Sequence, residues 1–198
     1  MVQILLLILG GFIFLFTLWK RLKEDYFDNQ IFTTGFYILG LVALANLASW
    51  YFLNGYWFWL SLLGTLLGVV AGTFRFKLRF FEVLEACVVA LFAPTIMLLI
   101  YDGIRLKHAS SFFAISIIAL FIGLYYVFST RYRTFTWYRS GRVGFSGLAI
   151  LGLFFLVRAL VAVWFPNVIS FVDRDWLISG SLAFITFLAL LNLSLKVQ

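Results

Sequence analysis

The chain has 198 residues, of which 64% are hydrophobic and 12% are charged, and its formal net charge is +7. Because soluble proteins average about 45–50% apolar residues, this composition excludes a soluble domain and indicates an integral membrane protein. The basic residues lie in short segments between apolar runs, so the positive charge is typical of membrane topology and not of a nucleic-acid-binding face.

Seven apolar segments reach the length of about 20 residues that a helix needs to cross a bilayer. The first is followed, and not preceded, by a basic cluster, which favours a retained helix over a cleaved signal peptide. No segment shows the alternation of a membrane barrel, so we predict a single all-α membrane domain over residues 1–198. Its spans are predicted at residues 2–19, 31–53, 56–74, 81–101, 110–129, 144–164 and 176–195.

The distribution of Lys and Arg predicts the orientation of the spans. Segments 20–30, 75–80, 130–143 and the C-terminal tail fall on one side and hold eleven of the fifteen basic residues, whereas the other side holds three. The positive-inside rule therefore predicts an outside N-terminus and a cytoplasmic C-terminus. Four tryptophans near predicted span ends fit interfacial anchoring: Trp57, Trp59, Trp164 and Trp176.

The third span carries Gly64, Gly68 and Gly72, whose spacing of four places them on one helix face. Such a face predicts close packing against another helix, although it can also make room for a lipid chain. The fourth span opens with Glu82 and Glu85, which share a face at i and i+3. Two interpretations stay open: pairing with Arg75 or Arg79, or an inward Glu85 that counters a charge in the cavity.

Residues 101–108 (YDGIRLKH) form the most polar predicted outer loop and combine a carboxylate, two cations and His108, the single histidine of the chain. The single cysteine, Cys87, lies in an apolar run and is typical of a buried structural thiol. One histidine and one buried cysteine predict no metal site, and the missing glycine-rich phosphate loop predicts no nucleotide cofactor. The predicted loop 130–143 mixes four arginines with aromatics and favours anionic lipid headgroups as its partner.

Arg158 stands within the apolar sixth span, about 21 Å along the helix from Gly144. A charge at such a position costs about 2.5–3.5 kcal/mol on insertion scales, so something must offset it. Two interpretations stay open. The side chain could snorkel to the outer headgroups, or it could face a pocket and hold a phosphate or carboxylate.

Several segments together resemble the bacterial prolipoprotein diacylglyceryl transferase family. Residues 62–68 (LLGTLLG) are similar to the family's H-G-G-L-x-G region, and residues 80–85 (FFEVLE) are similar to its F-x-x-x-x-D entry to the next helix. Residues 142–144 (RVG), followed by Arg158, resemble its R-x-G … Y-G-x-x-R-F segment. The seven-span topology with an outside N-terminus is also similar, so the resemblance extends over most of the chain.

The chain departs from the family's pattern at three places. Leu63 stands where the family's proposed catalytic histidine would fall, and residues 100–105 read IYDGIR in place of the G-R-x-G-N-F signature. A second-span arginine of the family is replaced around Asn46. Of the family's functional residues, only the arginine that handles the phosphate has a match in this chain, at Arg158. The resemblance therefore implies a divergent member of the family.

The resemblance implies transfer of a diacylglyceryl group from phosphatidylglycerol to a lipoprotein cysteine in the bacterial plasma (inner) membrane. That reaction needs a base to form the thiolate and cations to hold the phosphate. Arg158, Arg105 and Arg142 are the candidate phospholipid-binding residues, and Asp102 and His108 are candidate substitutes for the missing base. The implied partners are membrane phospholipid and lipoprotein precursors, with no nucleic acid.

Three functions remain open from the sequence. The first is this transferase activity, and the second is a non-catalytic relative that binds phospholipid or a membrane partner. The third is an unrelated seven-helix transporter or sensor. Few polar residues interrupt the spans, which disfavours an ion relay because relays need chains of ionisable groups.

Overall fold

The structure, a computed structural model, describes residues 2–53, 55–105, 109–131, 145–164 and 170–195. In these ranges the regular structure is entirely α-helical, and all seven predicted helices are present. They are α1 Val2–Leu22, α2 Asp28–Phe52, α3 Trp57–Phe76, α4 Phe80–Arg105, α5 Ala109–Arg131, α6 Phe145–Trp164 and α7 Asp175–Leu195. Each is long and apolar enough to cross a membrane, which supports a multi-pass membrane protein.

Helix α4 is the central element, since it packs against α1, α3, α5 and α6. The most extensively packed pairs are α1 with α4, α2 with α3, and α6 with α7. One buried cluster joins α1 to α4 around Phe14, Val83 and Ala90, and another joins α4, α5 and α6 around Phe121 and Ile150. Large apolar side chains also cover the outer surface of the bundle, as expected where lipid and not water surrounds the helices.

The glycine face of α3 lies against α2. A Cβ atom added to Gly68 would stand 2.5 Å from the Cα of Ile38, and one added to Gly64 would stand 2.7 Å from the carbonyl oxygen of Leu41. At Gly72 the nearest atom would be a methyl carbon of Thr34, 2.3 Å away. At Gly64 and Gly68 the two backbones thus approach too closely for a side chain, whereas at Gly72 the Thr34 side chain fills the space.

Several helices extend beyond the predicted spans, and the extensions at the ends of α1 and α4 change where polar residues lie. Helix α1 continues to Leu22, so Lys20 and Arg21 belong to its last turn, and α4 continues to Arg105, so residues 101–105 are helical and not part of a loop. The apolar run marks only the part of a helix that suits the lipid core, whereas the backbone hydrogen bonds continue into the polar interface. Basic residues in a last turn also interact favourably with the negative helix end.

The polar side chains gather at opposite ends of the bundle. The Arg158 end comprises the start of α3, the last part of α6, residues 170–174 and the start of α7. The Arg21 end comprises the last turn of α1, residues 23–27, residues 77–79 and the start of α4.

Candidate functional site

Arg158 is buried and forms an ion pair with Asp175, the first residue of α7. Its Nη2 donates to Asp175 Oδ1 at 3.0 Å, and only 7% of the arginine side chain and 1% of the aspartate side chain are exposed. Arg158 stands six residues before the end of α6, about 9 Å along the helix. A protein carboxylate therefore offsets the cost of this charge, and the arginine side chain is enclosed by the protein.

Asp175 is held by three helices at once. Besides the contact with Arg158, its Oδ1 accepts from Trp59 Nε1 of α3 at 2.8 Å, and its Oδ2 accepts from Ser179 Oγ one turn further along α7 at 3.2 Å. The carboxylate also lies in the first turn of α7, where negative charge is favoured by the helix dipole. Its position is thus fixed by hydrogen bonds from α3, α6 and α7.

The guanidinium of Arg158 also binds the segment before α7. Its Nη2 donates to the carbonyl oxygen of Ser170 at 2.6 Å, and its Nη1 donates to Ser170 Oγ at 3.2 Å. Its Nε has no hydrogen-bond partner among the described residues. Arg158 therefore anchors the start of residues 170–174 to α6 and keeps one N–H that the described part of the protein does not use.

Aromatic rings surround the guanidinium. Its Cζ lies 3.7 Å from the ring centroid of Phe58, 4.7 Å from that of Phe171 and 5.3 Å from that of Trp59. All three distances fall within the roughly 6 Å range of cation–π attraction, which strengthens when the cation is desolvated. Trp59 in turn stacks on Phe155 of α6. The rings exclude lipid and water from the ion pair, which we call the Arg158–Asp175 pair.

An open cleft of about 750 Å³ lies beside the Arg158–Asp175 pair. Its apolar wall comes from the end of α6 and the start of α7, including Val163 and the half-exposed Trp176. Asp173 and Arg174 line it as well, and both are exposed. Neither of these two side chains makes an ion pair with another described residue. The cleft thus offers one unpaired carboxylate and one unpaired guanidinium beside an apolar wall.

Arg174 adopts a left-handed backbone conformation with φ 58°, which is unusual for a bulky residue. Its carbonyl oxygen accepts the backbone N–H groups of Leu177 and Ile178, at 2.9 and 3.3 Å, and so begins α7. The N–H of Asp175 donates to the carbonyl oxygen of Val172 at 3.0 Å. This tight turn places Asp173 and Arg174 immediately before the helix and fixes their backbone at the cleft.

A second polar cluster occupies the Arg21 end. Glu85 is buried in α4, and its Oε1 accepts from Arg21 Nη2 at 2.7 Å and from Tyr125 OH at 3.2 Å. Glu82 instead pairs with Arg79 at 3.0 Å. Glu82 thus pairs with the nearby loop arginine of the first interpretation, whereas the buried Glu85 pairs with an arginine on α1.

Tyr26 connects two loops at the Arg21 end. Its hydroxyl donates to Glu82 and accepts the backbone N–H of Arg79 at 3.1 Å. Burial raises the pKa of the Tyr26 hydroxyl above its ordinary value, and the hydrogen bond to Glu82 raises it further. The same carboxylate raises the pKa of Arg79. The cluster is therefore held by the Tyr26 phenol and the Arg79 guanidinium, which both donate to Glu82.

The other candidate residues from the sequence do not join the Arg158–Asp175 pair through any described contact. Asp102 accepts a hydrogen bond from Ser111 of α5, and Arg105 donates to the hydroxyl of Tyr101 one turn earlier in α4. Leu63 is 53% exposed on the surface of α3. His108 and Arg142 lie outside the described residues, so their predicted roles stay predictions.

Four residues of the site and the adjoining cleft were not among the sequence candidates: Ser170, Asp173, Arg174 and Asp175. Asp175 lies one residue before the predicted start of the seventh span, and a carboxylate at a span boundary is ordinarily solvated. One signal pointed to it: a buried cation needs a counter-charge, and Asp173 and Asp175 are the first acids that follow Arg158 in the chain. Among the described residues, no group of three His, Cys, Asp or Glu side chains is placed to hold a metal ion.

Comparison of the chain with family models, with curated proteins and with solved structures finds no match. The resemblance to the diacylglyceryl transferase family therefore stays a prediction from short sequence segments.

Proposed function

We propose that this chain is a multi-pass membrane protein that binds the headgroup of a phospholipid in the cleft at the Arg158 end, without transferring any part of the lipid. The observation that carries the proposal is the cleft of about 750 Å³, where an unpaired Arg174 stands beside an apolar wall. Binding sites for small ligands commonly have volumes of about 300–1,000 Å³ and combine apolar walls with a few polar groups.

Arg174 is the group that would hold the lipid phosphate. An arginine presents two parallel N–H donors to a phosphate, and this side chain is exposed and engaged by no described partner. Arg158 is less suited to direct contact because its charge is matched by Asp175 and its guanidinium is enclosed by aromatic rings. Its role in the proposal is to position the cleft wall through Ser170.

The apolar surroundings suit the rest of the lipid molecule. Val163 and Trp176 line the cleft and are 60% and 50% exposed, and Leu160 and Leu177 continue the exposed apolar surface along α6 and α7. Acyl chains can lie against this surface while the headgroup occupies the cleft. With the orientation that the positive-inside rule predicts, the bound lipid would belong to the outer leaflet.

Photo-crosslinking tests the proposal at residue level. The full chain is placed in nanodiscs that contain a phospholipid with a diazirine near the start of one acyl chain, and crosslinked peptides are mapped by mass spectrometry. We expect crosslinks in residues 159–178, reduced about two- to fivefold in Arg174→Gln, as an exposed charge contact implies. Arg75→Gln, which removes an exposed arginine from the Arg21 end, is the matched control and should leave them unchanged. Crosslinks in this segment that do not depend on Arg174 would overturn the proposal.

The transferase activity implied by the resemblance is the narrower alternative. It would require a base and a second phosphate-holding cation beside the cleft, and the described contacts of Asp102 and Arg105 are with Ser111 and Tyr101. Its test is lipidation of a lipoprotein cysteine in cells depleted of their own transferase. Restored lipidation would replace the non-catalytic proposal, whereas no lipidation by a well-inserted protein would remove the alternative.

A further inference from the structure

We infer that the cleft takes a zwitterionic headgroup, a phosphate joined to an ammonium as in phosphatidylethanolamine, in preference to a net-anionic one such as phosphatidylglycerol. This inference rests on the proposed function, because it concerns the lipid class that the same cleft binds. It follows from the signs and positions of the charges around the cleft.

Three charged residues line the cleft, and one of them, Asp175, is neutralised by the buried Arg158. The Arg158–Asp175 pair cancels itself at 3.0 Å, which leaves Asp173 and Arg174 as one unmatched charge of each sign. The phosphate of a net-anionic headgroup would pair with Arg174, but the headgroup would offer no positive charge to the Asp173 carboxylate beside it. A zwitterionic headgroup would match both residues, with its phosphate at Arg174 and its ammonium at Asp173.

Aromatic side chains of the cleft supply a second contact for an ammonium. Phe171 and Trp176 both line the cleft, and half of the Trp176 side chain is exposed. Aromatic faces attract ammonium groups, with tryptophan the strongest of them, whereas the glycerol hydroxyls of phosphatidylglycerol gain no such attraction. The ring contacts thus favour the same headgroup as Asp173 does.

The backbone turn fixes the positions of the Cα atoms that carry the two charged side chains. Asp173 and Arg174 are consecutive, and the turn is held by the hydrogen bond from Asp175 N–H to Val172 and by the left-handed Arg174. Their Cα atoms stand about 3.8 Å apart, so their side chains can reach opposite charges that are separated by the short ethyl link of one headgroup. Two independent lipids are not needed to satisfy them.

The experiment uses two diazirine phospholipids with identical acyl chains, one with an ethanolamine and one with a glycerol headgroup, mixed equally in nanodiscs around the full chain. We expect the ethanolamine lipid to dominate the crosslinks in residues 159–178. Asp173→Asn should lower the ethanolamine-to-glycerol ratio about two- to fivefold. Asp25→Asn makes the same charge change at an exposed position of the Arg21 end and should leave the ratio unchanged.

The outcomes separate the two proposals. The headgroup inference is overturned if the two lipids crosslink equally or if Asp173→Asn does not change their ratio. In either case the proposed function still holds as long as crosslinking depends on Arg174. If Arg174→Gln leaves the crosslinking of both lipids unchanged, the proposed function itself is overturned. Circular dichroism and size-exclusion elution in detergent show whether each variant is folded, and both substituted side chains are exposed, so we expect native behaviour.

Discussion

Replacing Asp175 by alanine removes the carboxylate that neutralises Arg158 and leaves a buried guanidinium facing aromatic rings. The substitution also leaves Trp59 Nε1 and Ser179 Oγ without their acceptor. Among the described residues, Ser170 is then the remaining hydrogen-bond partner of the Arg158 guanidinium. The variant therefore tests whether the ion pair holds α3, α6 and α7 together at this end of the bundle.

The magnitude follows from the geometry of the pair. At 3.0 Å and an effective dielectric constant of about 20, the attraction is about 5–6 kcal/mol. The cost of desolvating both groups offsets part of it, and removal of one partner from a buried pair typically costs about 3–5 kcal/mol. We expect Asp175→Ala to lower the free energy of unfolding by this latter amount.

A double-mutant cycle isolates the interaction from the individual side chains. Arg158→Met alone leaves a buried carboxylate, whereas Arg158→Met with Asp175→Ala removes both charges. The double variant should be about 2–3 kcal/mol more stable than the sum of the single effects predicts. Unfolding in mixed micelles of dodecyl maltoside and SDS, followed by circular dichroism, measures all four proteins.

Two results would refute this account. The first is a loss below about 1 kcal/mol for Asp175→Ala, which is the range of an exposed pair. The second is additivity of the two substitutions to within about 0.5 kcal/mol, which is the behaviour of residues that do not interact.

Gly68→Ala should destabilise the protein by about 1–3 kcal/mol because the added methyl would stand 2.5 Å from the Cα of Ile38. Gly40→Ala is the control: its added methyl meets nothing within 4 Å, so equal melting temperatures of the two variants would contradict close α2–α3 packing. Burial and the bond to Glu82 raise the pKa of Tyr26. The protonated phenol thus stabilises the fold below about pH 10, and this stability is lost as pH rises through the raised pKa. Tyr26→Phe should remove that part of the alkaline loss in thermal unfolding, and equal losses in both proteins would contradict it.

The number and order of the helices could be predicted because a lipid environment demands long apolar runs with internally satisfied backbones. The face of Gly64, Gly68 and Gly72 was also visible, because helical spacing alone places these residues together. The ends of α1 and α4 were placed too early, because hydropathy reports the lipid core and not the hydrogen-bonded helix.

The partners of the buried charges could not be predicted in the same way. The cost of a charge within an apolar span singles out Arg158 from the sequence alone. Asp175 and Trp59, however, meet only after α3, α6 and α7 pack together. Glu85 similarly takes its arginine from α1, 64 residues away in the chain, and not from the nearby loop. Local spacing carries no information about such contacts, whereas the requirement for a counter-charge does narrow the candidates.

The separation of Arg158 and Asp175 along the chain has a consequence for biosynthesis. The arginine emerges from the ribosome 17 residues before its carboxylate, so α6 alone would enter the bilayer with an unmatched charge. We expect α6 to remain at the translocon until α7 follows, and the two helices to enter the lipid as a hairpin. In a chain truncated after α6, we therefore expect this helix to fail to enter the lipid, whereas in a chain that includes Asp175 it should insert.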